Sequence, residues 1–272
     1  MRLKYMLICL LAAVLCMAVG WGLSCLLVRL PAFRSAKKGI AAAAIGLLLM
    51  AAVSFGYLEN YYHADDEAAA CLAGGESVHV AQVDGVFFFD GPGTERAIVF
   101  FPGARVEETA YAPLLFELAE RGTDCFLLSP PFHMAIFDAS APDELIAMYD
   151  YDSWYLMGHS LGGIMAARYA ALHSEETDGV ILLAAYADRE LAPTAGLLSI
   201  YGSRDCVLNR EIYEQNKQYW PEHSRELIIE GGSHAGFGCY GAQRGDGQAA
   251  ISAAEQQART VEAIVSFLDT AS

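Results

Sequence analysis

Trp154-Tyr155-Leu156-Met157-Gly158-His159-Ser160-Leu161-Gly162-Gly163 is the stretch on which the reading of this chain turns. Residues 154–158 form a short apolar run of strand type, and 161–173 continue as a helix-forming segment. Between them, glycines at 158 and 162 frame a serine in the pattern G-x-S-x-G. Where a strand turns sharply into a helix, the serine backbone is strained and side chains two residues to either side collide. Glycine at both places removes the collision. The turn lifts the hydroxyl to a helix N-terminus, where unpaired N–H groups favour developing negative charge. Gly163, Ala166 and Ala167 are small and let such a helix approach a sheet closely. An ordinary serine in a glycine-rich turn is the competing reading, and the strand-turn-helix context outweighs it.

The same alternation extends on both sides. Segments 78–83 and 86–89, separated by Asp84-Gly85, read as two antiparallel strands. Further short apolar runs lie at 97–101, 125–129, 180–184, 197–201 and 226–230. They are near-continuous rather than alternating, as in a sheet covered on both faces. Helical stretches fall between them at 111–121, 142–149, 210–219 and 253–268. The expectation is an α/β fold, with a mostly parallel central sheet of about eight strands flanked by helices. The short span between the runs ending at 184 and starting at 197 leaves no room for an inserted lid. An open site of that kind suits small or surface-attached acyl groups better than a buried fatty chain.

A serine hydroxyl is a poor nucleophile until a base takes its proton. For a serine on such an elbow, an acid and then a histidine follow in chain order. Of seven histidines, His63, His79 and His133 come too early and His159 lies inside the elbow. His173 is too close behind it, and His223 precedes the last strand. His234, on Gly231-Gly232-Ser233 after the last strand, can reach back over the sheet. Asp205, in Tyr201-Gly202-Ser203-Arg204-Asp205, lies just past a strand end, where a carboxylate can fix the imidazole tautomer. Asp188 is its competitor. The tetrahedral oxyanion needs backbone donors. Leu161, next after the serine, offers one, and Ala104, in the turn Phe101-Pro102-Gly103-Ala104-Arg105, offers the other. Arg105 is expected to hold a carboxylate, a protein one such as Glu107 ahead of a substrate's.

Charge and hydropathy divide the chain unevenly. Residues 5–28 and 39–58 contain no charged side chain, and about 20 apolar residues in a helix span a bilayer's hydrocarbon core of about 30 Å. Residues 1–58 are therefore expected to anchor the chain with two transmembrane helices, followed by a neck over 59–77 and a catalytic domain over 78–272. A cleaved signal peptide is the alternative for the first segment. Six basic residues and no acid precede residue 59, so the rest holds 17 − 6 = 11 basic and all 33 acidic residues, a formal charge of 11 − 33 = −22. Such a surface excludes nucleic acid, because phosphate binding needs basic clusters. Arg29, Arg34, Lys37 and Lys38 lie between the apolar segments, so the loop is expected in the cytoplasm and the catalytic domain outside. Among the cysteines no C-x-x-C pair occurs, and no metal or organic cofactor is implied.

With these residues placed, the chain resembles the α/β-hydrolase superfamily, in particular its small membrane-tied bacterial members. The likeness runs through Tyr61-Tyr62-His63-Ala64, Phe101-Pro102-Gly103-Ala104 with Tyr111-Ala112-Pro113-Leu114, and the elbow. It continues through Tyr201-Gly202-Ser203-Arg204-Asp205 and Gly231-Gly232-Ser233-His234-Ala235-Gly236-Phe237-Gly238, into Tyr240-Gly241-Ala242-Gln243-Arg244-Gly245-Asp246-Gly247. The resemblance implies a triad of Ser160, Asp205 and His234. Members of this size are similar to dienelactone hydrolases, a branch with a cysteine nucleophile, where this chain has Ser160. Many members carry one anchoring helix, and two are read here. The function so implied is hydrolysis of carboxylic esters through an acyl-enzyme. An acyltransferase on the same triad and a catalytically idle membrane scaffold are the rivals.

Overall fold

In the computed structural model the described residues are 60–271 apart from Asp84, with isolated helical positions between 44 and 56. The expected spans at 5–28 and 39–58 fall outside them, those isolated positions aside. No helix among the described residues is long and apolar enough to cross a membrane. Tyr61–Ser272 forms one compact unit.

That unit is built on eight strands: β1 (His79–Val83), β2 (Val86–Asp90), β3 (Arg96–Phe101), β4 (Asp124–Leu128), β5 (Ser153–His159), β6 (Gly179–Leu183), β7 (Gly196–Gly202) and β8 (Ser224–Ile229). They lie in the order β1-β2-β4-β3-β5-β6-β7-β8. β2 pairs antiparallel with β1 and β4, and all other pairings are parallel. The expected mostly parallel eight-stranded sheet is what forms. β3, β4 and β6 are buried almost throughout, which is why their sequences run apolar without alternation.

Helices cover both faces. The helices α2 (Ala112–Glu120) and α6 (Ala253–Ala271) contribute Leu114, Leu115, Leu118, Val261, Ile264 and Phe267 to one core layer. The opposite layer receives Leu145 from α3 (Ala141–Met148) and Met165, Ala166 and Tyr169 from α4 (Leu161–Leu172). A short α5 (Arg210–Asn216) follows β7. Residues 184–195, between β6 and β7, carry no helix or strand, so no lid is inserted there.

Of residues 59–77, read from composition as a neck, those from 61 onward are packed structure. Tyr62 bridges to Val106, the Asp65 amide donates to the Cys239 carbonyl at 2.9 Å, and α1 (Asp66–Cys71) buries Ala68 completely. Asp65 caps α1 by accepting from the Ala68 amide at 3.0 Å. Alanine-rich and acidic, the segment lacks the long apolar stripe that marks a packed helix.

The sheet order also positions the site. From β3 the chain steps outward to β4, then returns to β5 on the other side of β3. In open α/β sheets the crevice at such a reversal, at the carboxyl ends of the strands, is where ligands bind.

Candidate active site

Ser160 stands at the end of β5 with φ 53° and ψ −121°, a conformation that costs about 1–3 kcal/mol for a residue with a side chain. Its amide donates to the Leu183 carbonyl of β6 at 2.9 Å, which holds the turn against the neighbouring strand. Both flanking glycines are required. A Cβ at 158 would lie 2.4 Å from the Gly162 carbonyl carbon, and one at 162 would lie 2.1 Å from the Phe101 oxygen. The second contact also shows that the first turn of α4 abuts the turn after β3.

That turn faces the elbow from across the crevice. In Pro102-Gly103-Ala104-Arg105, proline has no N–H, the Gly103 amide donates to Tyr111 Oη at 3.1 Å, and the Arg105 amide donates to the His133 carbonyl at 2.7 Å. Those bonds occupy the amides on either side of Ala104. Leu161 is the first residue of α4, where helix N–H groups have no partner within the helix. The two expected oxyanion donors thus sit on the two turns that border the crevice. Arg105, Phe132 and His133 all have positive φ, so backbone strain gathers on this rim. Glu107 accepts from the Ala64 amide at 2.9 Å, fastening residues 61–64 to the same rim.

Asp205 and His234, remote in sequence, are brought together. Nδ1 of His234 donates to Oδ2 of Asp205 at 2.8 Å, with side chains 2% and 0% exposed. The other carboxylate oxygen accepts from the amides of Val207 and Leu208, each at 2.8 Å. With Nδ1 donating, Nε2 is the acceptor of the neutral imidazole. That Nε2 is buried and has no hydrogen-bond partner, so the Ser160 hydroxyl is not bonded to it in this conformation. An unpaired buried acceptor costs about 1–3 kcal/mol, and catalytic bonds often tighten only when substrate binds. The competitor Asp188 is taken up by Arg168, whose Nε lies 3.0 Å from its Oδ2. His173 pairs with Glu176, and His223 is exposed on the surface.

His159 has a larger part than its position inside the motif suggested. It is 1% exposed, and its Nε2 lies 3.0 Å from the His234 carbonyl oxygen. A carbonyl only accepts, so Nε2 carries the proton and Nδ1 is the acceptor. Tyr111 Oη, 2.8 Å from Nδ1, therefore donates to it while accepting from the Gly103 amide. One directed chain of hydrogen bonds runs from the turn after β3 through Tyr111 and His159 to the backbone of His234. Burial, and next the nearby His234, hold the His159 pKa well below its ordinary 6.5. Burial likewise pushes the Tyr111 phenol up, so both groups stay neutral. Phe237 is fully buried beside His159, with ring centroids 5.7 Å apart; it packs the site rather than lining it.

On the rim, Glu108 accepts from Ser129 Oγ at 2.9 Å and contacts His133 Nδ1 at 3.1 Å. Burial alone would raise its pKa, but the bonds from His133, its own backbone and Ser129 bring it below the ordinary value. Elsewhere, ligand atoms of Asp65, Glu67 and Cys239 lie within 4.8 Å of one another. Asp65 already caps α1, however, and Cys239 Sγ is engaged with Gln257. Burial raises the Cys239 pKa, which keeps the thiol protonated and a poor ligand.

A search of curated protein sequences finds no significant match. Solved structures are similar at low identity. A dienelactone hydrolase from Anabaena variabilis is 15% identical, with 71% of this chain and 99% of that one covered and a TM-score of 0.54. Alpha/beta hydrolase domain-containing protein 10 from mouse is 12% identical over 72% and 100% of the chains, with a TM-score of 0.53. A membrane phospholipase A, described as a bacterial virulence factor, is 17% identical over 82% and 98%, with a TM-score of 0.50. At these identities the likeness shows the fold. A family model for the alpha/beta hydrolase family matches residues 97–258, more than half of the chain, and this chain, with its elbow and strand order, belongs to that family.

Proposed function

We propose that the protein is a serine hydrolase that cleaves carboxylic esters through an acyl-enzyme intermediate. The observation that supports this most is the buried His234–Asp205 pair with an unpartnered Nε2, on the rim that carries the Ser160 elbow. Ser160 Oγ attacks the ester carbonyl as His234 Nε2 takes its proton. Asp205 holds the imidazole tautomer and stabilises the imidazolium. The amides of Ala104 and Leu161 receive the oxyanion. His234 returns the proton to the departing alcohol, leaving the acyl group on Ser160. Water activated by the same nitrogen then releases the acid. The proton transfer requires the Ser160 hydroxyl to reach the buried His234 Nε2, which has no other hydrogen-bond partner. The short 184–195 connection suits small or surface-attached acyl groups, and the uncharged runs at 5–28 and 39–58 suit a catalytic domain held at a membrane.

A fluorophosphonate probe and a panel of chromogenic esters of graded acyl length test this reading. Wild type is expected to be labelled and to hydrolyse the shorter esters, and Ser160→Ala to do neither. Wild type that is inert to both would favour the scaffold reading. Transfer of the acyl group to an added alcohol in preference to water would favour an acyltransferase.

A further inference from the structure

The loop between the His234 turn and α6 is taken up by none of the roles above, although its sequence Gly245-Asp246-Gly247 is distinctive. The acid-bearing and base-bearing loops are joined upstream of their catalytic residues by the Arg204 amide, which donates to the Gly232 carbonyl at 2.8 Å. Downstream of those residues the connection is made by one side chain. Asp246 Oδ2 accepts from the amide of Ala235, next after His234, at 2.9 Å. Its Oδ1 accepts from the amide of Cys206, next after Asp205, at 3.2 Å, and from Gly247 at 2.8 Å.

The loop is fixed on the protein to do this. The Ala250 amide donates to the Gly231 carbonyl at 2.8 Å, and the Arg244 amide donates to Tyr62 Oη at 2.9 Å. Gly247 lies so close to the acid loop that a Cβ there would be 2.0 Å from the Arg204 oxygen.

We propose that Asp246 is a positioning residue for the reaction, its single carboxylate setting the spacing between the acid loop and the base loop. This rests on the reading of Asp205 and His234 as acid and base. The donors are backbone amides, so a carboxylate is the side chain that can accept from both at once. An amide in its place keeps one acceptor and turns an N–H group toward the other donor. Loss of the clamp lets the His234 turn drift, and displacement of a catalytic group by about 1 Å can cost roughly 100-fold in rate.

The experiment uses the full chain in non-ionic detergent, with Asp246→Ala, Asp246→Asn and a Gln248→Ala control in the same loop. Steady-state kinetics on a short-chain p-nitrophenyl ester are combined with proton NMR of the Asp205–His234 bond and amide exchange at Cys206 and Ala235. Asp246→Ala is expected to lower kcat at least about ten-fold with KM nearly unchanged, to shift or broaden the downfield His234 Nδ1 proton, and to speed exchange at both amides. Asp246→Asn should fall between Asp246→Ala and wild type, and Gln248→Ala should match wild type. A folded Asp246→Ala with unchanged kcat, or with an unchanged downfield proton, overturns the proposal. Fast exchange of Cys206 and Ala235 in the wild type overturns it whatever the variants do. If neither Asp246 variant folds, the residue serves folding rather than positioning, and the proposal fails equally. Wild type without esterase activity or probe labelling defeats the functional reading instead, and the exchange data still report on the clamp.

Discussion

His159 shows how one buried side chain can serve two parts of a site. Its ring accepts from Tyr111 and donates to the His234 carbonyl, which it can do only while neutral. Its depressed pKa has a consequence for stability. Above the unfolded-state value of about 6.5, neither state binds a proton at this ring and the group adds no pH dependence. Below that value the unfolded chain takes up a proton that the native state refuses, so stability falls as pH falls, by up to about 1.4 kcal/mol per pH unit. The decline ends only at the lower native pKa. Urea unfolding of the wild type between pH 7 and pH 5 should therefore show a steeper loss than His159→Asn, whose side chain does not titrate. Parallel curves for the two proteins would mean that the native imidazole is protonated after all, and the assigned direction of the hydrogen-bond chain would be wrong.

At the scale of elements, the contact that matters is α4 against the turn after β3. Gly162 lets the helix start within backbone distance of Phe101 and Pro102, the residues that lead into the turn carrying Ala104. Gly162→Ala would drive a methyl group into the Phe101 carbonyl oxygen, and the helix would have to withdraw. Overpacking of this kind costs about 1–3 kcal/mol or more. The unfolding free energy should fall by that amount, read as a lower denaturation midpoint, and fluorophosphonate labelling should slow far beyond what the unfolded fraction explains. Labelling at the wild-type rate in the folded fraction would separate the proposed oxyanion donors from the approach of α4. The strands and the elbow were legible in the sequence because burial on both faces writes continuous apolar runs, and the G-x-S-x-G spacing reflects real steric contacts. The convergence of Asp205 and His234 was legible through chain order and the place of each just past a strand end. By contrast, α1 carries too little apolar surface to stand out, and the 3-10 turn at Pro131–His133 has no periodicity to read. The Tyr111–His159 bond joins residues 48 positions apart, and the Asp246 clamp acts on backbone amides, so neither leaves a pattern along the chain.

Across the whole molecule, charge is the strongest organising feature. All 33 acidic residues follow position 58, and the six basic residues ahead of it include four between the two uncharged runs. If those runs cross a bilayer, retention of Arg29, Arg34, Lys37 and Lys38 on the cytoplasmic side sends the acidic domain to the opposite side. Arg2 and Lys4 pull the other way, but they are two against four. The domain carries a natural reporter of this topology. Of its cysteines, Cys125 and Cys239 are buried, Cys71 is half-buried, and Cys206 is exposed. Burial raises the thiol pKa of each of the first three, which slows their reaction further, because the thiolate is the nucleophile. A membrane-impermeant maleimide added to intact cells should therefore label the chain, and Cys206→Ser should remove most of that label. Labelling that appears only after the cells are opened would put the catalytic domain on the cytoplasmic side and show that the two N-terminal charges, or a different number of crossings, set the orientation.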